Sequence, residues 1–178
     1  MFASEHFVAP DVLVLGKSLG GGLLPFAGIV THERYNTLQH RSIGHYTHEK
    51  NALCAAAALA EIEYIAGHRL AEHAAELGAY ALQRLKEMQE RHPLIGHVAG
   101  LGLHIGIDLV SDRTTRARAV DEAEGVMFKC LEKGLSSKTI DGNVLTLRPA
   151  LVITRAEMDR GLDILDEAIG EIEGGNSY

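Results

Sequence analysis

An α/β fold follows from three features of this 178-residue sequence. Short apolar runs bounded by proline, aspartate and glycine read as strands, long segments repeat apolar residues at helical spacing, and the two kinds interleave along the chain. The first run, Val12-Leu13-Val14-Leu15, stands between Pro10-Asp11 and Gly16. Four apolar residues without alternation predict a strand buried on both faces, as in a mostly parallel sheet covered by helices. Lys17 follows directly, then Gly20-Gly21-Gly22. In open α/β sheets ligands bind beyond the carboxyl ends of the strands, so the amine of Lys17 is placed to attack a carbonyl carbon. The string Gly16-Lys17-Ser18 does not match a nucleotide-binding loop, which needs a glycine where Asp11 stands. An ordinary surface lysine before a flexible glycine turn is the alternative.

Residues 26–31 predict a second strand, and the polar residues 32–47 a loop with one helical turn. From Asn51 the pattern becomes helical, with Leu53, Ala56, Ala57, Ala60 and Tyr64 on one face and an alanine-rich surface suited to close packing. Gly67 interrupts it. Leu70, Ala74, Leu77, Ala81, Leu85 and Met88 form a second stripe, which stops ahead of Pro93 because proline disfavours helical geometry in the residue before it. Leu101, Leu103, Ile105, Ile107 and Leu109 alternate with other residues and predict one half-buried strand. A charged loop over 113–118 precedes a helix marked by Val120, Ala123, Met127, Cys130 and Leu131, with Gly134 as its stop. Asp141-Gly142 is a turn signal and residues 144–147 a strand. Thr154 and Glu157 form a capping box for the last helix, which runs through Ile164, Leu165, Ile169 and Ile172 and ends at Gly174-Gly175-Asn176. Two domains are expected, residues 1–66 and residues 67–178.

Composition excludes several classes of function. A formal net charge of −7 disfavours nucleic acid as a partner, and 46% hydrophobic with 23% charged residues is ordinary for a globular chain. No apolar stretch reaches the roughly 18 residues that span a bilayer, and the first residues do not resemble a signal peptide, so no membrane and a cytoplasmic location are expected. Cys54 and Cys130 lie in apolar helical settings and read as small buried hydrophobes. Ten histidines invite a metal hypothesis, but those at 32 and 48, each followed by glutamate, lack the second histidine of the zinc-protease helix, and no metal is expected.

Several segments in order resemble one family, the fold-type I, class III aminotransferases that use pyridoxal 5′-phosphate. Pro10-Asp11-Val12 through Lys17-Ser18-Leu19-Gly20-Gly21-Gly22 resembles the family's cofactor-lysine motif. Residues 46–56, from Tyr46-Thr47-His48 to Cys54-Ala55-Ala56, resemble its threonine loop and following helix. Gly100-Leu101-Gly102-Leu103 is similar to the entry strand of its small domain, and Val144-Leu145-Thr146-Leu147-Arg148-Pro149 to a late strand and loop.

The resemblance implies the later part of a large cofactor-binding domain followed by a small α/β C-terminal domain. It implies that Lys17 forms a Schiff base with the cofactor and moves the proton in amino-group transfer between an amino acid or amine and a 2-oxo acid. Thr47 would reach the cofactor phosphate of a neighbouring subunit in a homodimer, and Arg148 would hold a substrate carboxylate. A helix N-cap or turn residue is the alternative role for Thr47, and an exposed end-of-strand cation that for Arg148. Ala52 and Ala150 stand where the family often has proline, and Ala99-Gly100 where it often has Arg-Gly. The start at Met1 resembles a point inside the large domain, so the phosphate loop, the stacking aromatic and the ring-nitrogen aspartate are expected to be missing, and the chain alone inactive. Racemases and decarboxylases share this fold, and a non-catalytic domain that oligomerises or binds a partner is the alternative of a different class.

Overall fold

The computed structural model describes residues 6–41, 44 and 46–175. The chain divides into two compact units, Met1–Arg69 and Leu70–Tyr178, and combines strands and helices as an α/β protein.

In the first unit, β1 (Val12–Leu15) pairs with β2 (Gly28–Thr31) in a two-stranded sheet. The pairing is antiparallel, with Val12 opposite Thr31 and Leu15 opposite Gly28, which corrects the parallel arrangement expected from the apolar run. Burial on both faces is also corrected: along β1, Val12 and Val14 are exposed while Leu13 and Leu15 are half-buried. Short 3-10 turns cover Lys17–Gly20 and Glu33–Tyr35. The helix α1 (Ala52–Gly67) is capped by Asn51, whose Oδ1 accepts from the amides of Leu53 at 3.0 Å and Cys54 at 3.2 Å.

The second unit is built on α2 (Leu70–Arg91), β3 (Ile95–Leu101), β4 (His104–Asp112), β5 (Ala117–Arg118), α3 (Val120–Glu132), β6 (Lys138–Ile140), β7 (Val144–Leu147) and α4 (Arg155–Glu173). Its strands run in the order β3-β4-β7-β6, with β5 on the side of β4, every pair antiparallel. All six residues of the stripe from Leu70 to Met88 are buried. Ala74, Leu77, Ala81, Leu85 and Met88 meet Ile105, Ile107 and Leu109 of β4, Leu145 of β7 and the buried faces of α3 and α4 in one core. The single strand expected over 101–109 is instead a hairpin. Leu101 ends β3, Gly102 turns the chain at φ 55°, and Leu101 is exposed while Leu103 is buried. Gly78 of α2 lies against this turn so closely that a Cβ there would stand 2.1 Å from the carbonyl oxygen of Gly102.

Polar clasps join α2 to α4. Arg84 pairs with Asp159 at 3.2 Å and Asp163 at 2.8 Å, and His92 places its two ring nitrogens against Asp166 and Glu173. The capping box at Thr154 and Glu157 is formed, and α4 ends at Glu173 with Gly174 and Gly175 in a turn; Asn176 lies outside the described residues. Cys130 is fully buried and burial pushes its thiol up to about 11, whereas Cys54 is only partly buried, contrary to expectation.

Candidate active site

The first unit builds the surroundings of Lys17 from β1 outward. At the start of the strand the backbone oxygen of Asp11 accepts from the hydroxyl of Thr31, and its carboxylate accepts from Arg34 and, at 2.8 Å, from Tyr35. These bonds fix one end of the hairpin. At the other end Leu15 pairs with Gly28, Gly16 continues in an extended conformation, and Lys17 turns into the left-handed region at φ 55°. A lysine there carries a strain of about 1 kcal/mol that glycine would not.

The 3-10 turn that starts at Lys17 closes at Gly21, φ 70°, whose amide donates to the carbonyl of Ser18 at 2.9 Å. Gly21 and Gly22 have open space where a Cβ would project, so glycine serves their positive φ values and not a tight approach. The same Gly21 amide donates to Oε2 of Glu61 on α1 at 2.6 Å. Lys17 itself is exposed, and among the described residues no side chain hydrogen-bonds to its amine.

Thr47 lies in the same unit, exposed, in the turn ahead of α1. The backbone there is left-handed at His48, φ 70°, and Lys50, φ 58°. Asn51 caps α1, so of the two structural alternatives for Thr47 it is the turn residue that the backbone shows.

Arg148 belongs to the second unit, where it follows β7 and is exposed. It lines a cavity of about 130 Å³ with Leu135, Leu147, Ile153 and Met158. Glu157 also lines the cavity, but its carboxylate is taken up by the amide and hydroxyl of Thr154, and the amide bond chiefly holds it below the usual glutamate range. A guanidinium at the mouth of an apolar cavity suits a carboxylate with an apolar substituent.

Sequence reasoning missed Glu61. Its contact spans 40 positions, and an acid on an alanine-rich helix carries no local signal of a partner.

Comparison with known proteins agrees over nearly the whole chain. Residues 1–169 match the family Aminotransferase class-III. The chain is 44% identical over 172 residues to the (R)-1-hydroxy-2-aminoethylphosphonate ammonia-lyase of Vibrio splendidus (strain 12B01), which takes in 96% of this chain and 36% of that protein. It is also 44% identical over 176 residues to the leucine/methionine racemase of Thermococcus litoralis, covering 98% of this chain and 39% of that one. Among solved structures, an S-selective transaminase from Bacillus megaterium matches with a TM-score of 0.89 at 26% identity, over 98% of this chain and 41% of its own. The chain thus spans well under half the length of the curated relatives it matches. Among the described residues, no helix is long and apolar enough to cross a membrane. By sequence over residues 1–169 and by fold, the chain belongs to the class III aminotransferase family.

Proposed function

We propose that this chain carries the lysine, phosphate-binding hydroxyl and carboxylate-binding guanidinium of a pyridoxal 5′-phosphate enzyme that transfers an amino group from an amino acid or amine to a 2-oxo acid. The observation that carries this reading is Lys17 held at φ 55° one residue beyond the end of β1, a strained backbone at an exposed primary amine. Strain of this kind persists where the surroundings impose it and clusters at functional sites. The donor set fits the group: an amine for an aldehyde, the Thr47 hydroxyl for a phosphate and the Arg148 guanidinium for a substrate carboxylate. When bound, the cofactor supplies an electron sink for the carbanion at the substrate α-carbon.

Nζ of Lys17 would hold the cofactor through its aldehyde carbon. As a free base, Nζ would take the proton from the substrate α-carbon and deliver it to the cofactor C4′, the carbon that bore the aldehyde. Thr47 would donate through Oγ1 to a phosphate oxygen of the cofactor, which in a homodimer would be that of the neighbouring subunit. Arg148 orients the substrate by a paired contact with its carboxylate. The expected location of the whole protein is the cytoplasm.

A second outcome is favoured by the 44% identity to a racemase and to an ammonia-lyase. Each also acts at an amino compound, and the same lysine can return the proton to the α-carbon instead. Product analysis of the intact protein separates these outcomes: consumption of the 2-oxo acid supports transfer, inversion without consumption supports racemisation, and free ammonia supports elimination. The shared role of Lys17 is tested by borohydride trapping of pyridoxal phosphate followed by peptide mass analysis. The expected label is on Lys17, and Lys17→Ala lowers turnover by about 10⁴-fold or more. A label on another lysine, or turnover that survives Lys17→Ala, would sink the assignment.

A further inference from the structure

We infer that Glu61 is a positioning residue for Lys17, an inference that rests on the function proposed above. A 3-10 turn of four residues has poor hydrogen-bond geometry and little stability of its own. This turn, Lys17–Gly20, is anchored on one side by the pairing of Leu15 with Gly28. On the other side its closing amide, at Gly21, has two acceptors: the carbonyl of Ser18 at 2.9 Å and the carboxylate of Glu61 at 2.6 Å. The first bond lies within the turn and cannot place it. The second comes from α1 and fixes the end of the turn to a helix of 16 residues.

A carboxylate acceptor makes this contact stronger than a neutral one would be. Without it, the left-handed backbone at Lys17, Gly21 and Gly22 would have no polar anchor outside the turn and its strand among the described residues. The helix bears on both candidate residues of this unit. Asn51, which caps α1, stands four positions after Thr47, so the element that holds the Lys17 turn also ends the loop carrying Thr47. Glu61 acts on Lys17 through the Gly21 amide, which closes the turn that Lys17 opens.

The test uses the intact protein and two variants, Glu61→Ala and Glu61→Gln, the second keeping an amide oxygen that can accept from Gly21. Two quantities are read: hydrogen exchange at the Gly21 amide without cofactor, and the rate at which pyridoxal phosphate becomes attached to Lys17, trapped by borohydride and located by peptide mass. Glu61→Ala is expected to speed exchange and slow attachment by about tenfold each, the scale of one charge-assisted hydrogen bond. Glu61→Gln is expected to stay within about threefold of the unaltered protein. Equal attachment rates at Lys17 in Glu61→Ala and the unaltered protein would overturn this inference alone, as would unchanged exchange at Gly21 or a Gln variant as impaired as the Ala variant. No label on Lys17 in the unaltered protein would overturn the proposed function and this inference with it.

Discussion

In the unit Leu70–Tyr178 the side chains of Leu85, Ile105, Ile107, Leu145, Leu162 and Leu165 are completely shielded from solvent. In Met1–Arg69, Ala58 is the one buried apolar side chain among the described residues, while Val14, Ile29 and Leu23 stand 74%, 66% and 89% exposed. Packing fixes the unit Leu70–Tyr178. Among the described residues of Met1–Arg69 the long-range anchors near Lys17 are polar, with Asp11 bonded to Arg34 and Tyr35 and Glu61 holding Gly21, and Asn51 caps α1. Two of the three residues proposed for chemistry lie in the unit that packs least. Hydrogen bonds and backbone conformation can place a side chain that must stay open to a ligand.

The sharpest test of that contrast is truncation in each unit. Leu85→Ala should lower the stability measured by urea unfolding by about 3 kcal/mol, because it leaves a cavity in a closed core. Val14→Ala should change it by less than about 0.5 kcal/mol. Equal losses would mean that β1 is covered as well as α2, and the contrast would fall. Glycine substitution gives a smaller difference. Gly78→Ala forces a Cβ into the carbonyl of Gly102 and should cost about 2–3 kcal/mol, whereas Gly21→Ala meets open space and should cost about 1 kcal/mol for its backbone conformation. The smallest effect is electrostatic and belongs to the second unit. Hydrogen bonding to Lys133 holds the Glu171 carboxylate below its ordinary value of 4.5. A depressed acid stabilises the fold fully above its unfolded value and loses that contribution as pH falls through the folded one. The melting temperature should therefore fall as pH drops below 4.5, and Glu171→Gln should flatten that fall by about 2 °C.

Much of the second unit was legible because its signals are periodic. The stripe on α2, the capping box of α4 and the turn at Asp141-Gly142 each follow from local chemistry, and the turn's two residues have φ values of 52° and 84°. β3 was missed because Gly96, His97 and Gly100 break its apolar character, and the alternation through Leu101 and Leu103 runs unbroken across a turn that only the φ of Gly102 reveals. β6 has three residues, too few to make a pattern. In the first unit Lys17 stood out because a strand and three glycines frame it. The antiparallel partner of β1 did not, since four apolar residues in a row say nothing about strand direction. Glu61 was beyond local reading, because its meaning lies in an amide 40 residues away.

The positive φ of Lys17 bears on how this sequence can change over time. At that position the backbone favours glycine, so drift toward greater stability alone would replace the lysine. A descendant released from its chemical task would be expected to lose Lys17 before it lost Leu85. The amino acid at position 17 is therefore a more sensitive record of whether such a chain still works than anything in its well-packed half.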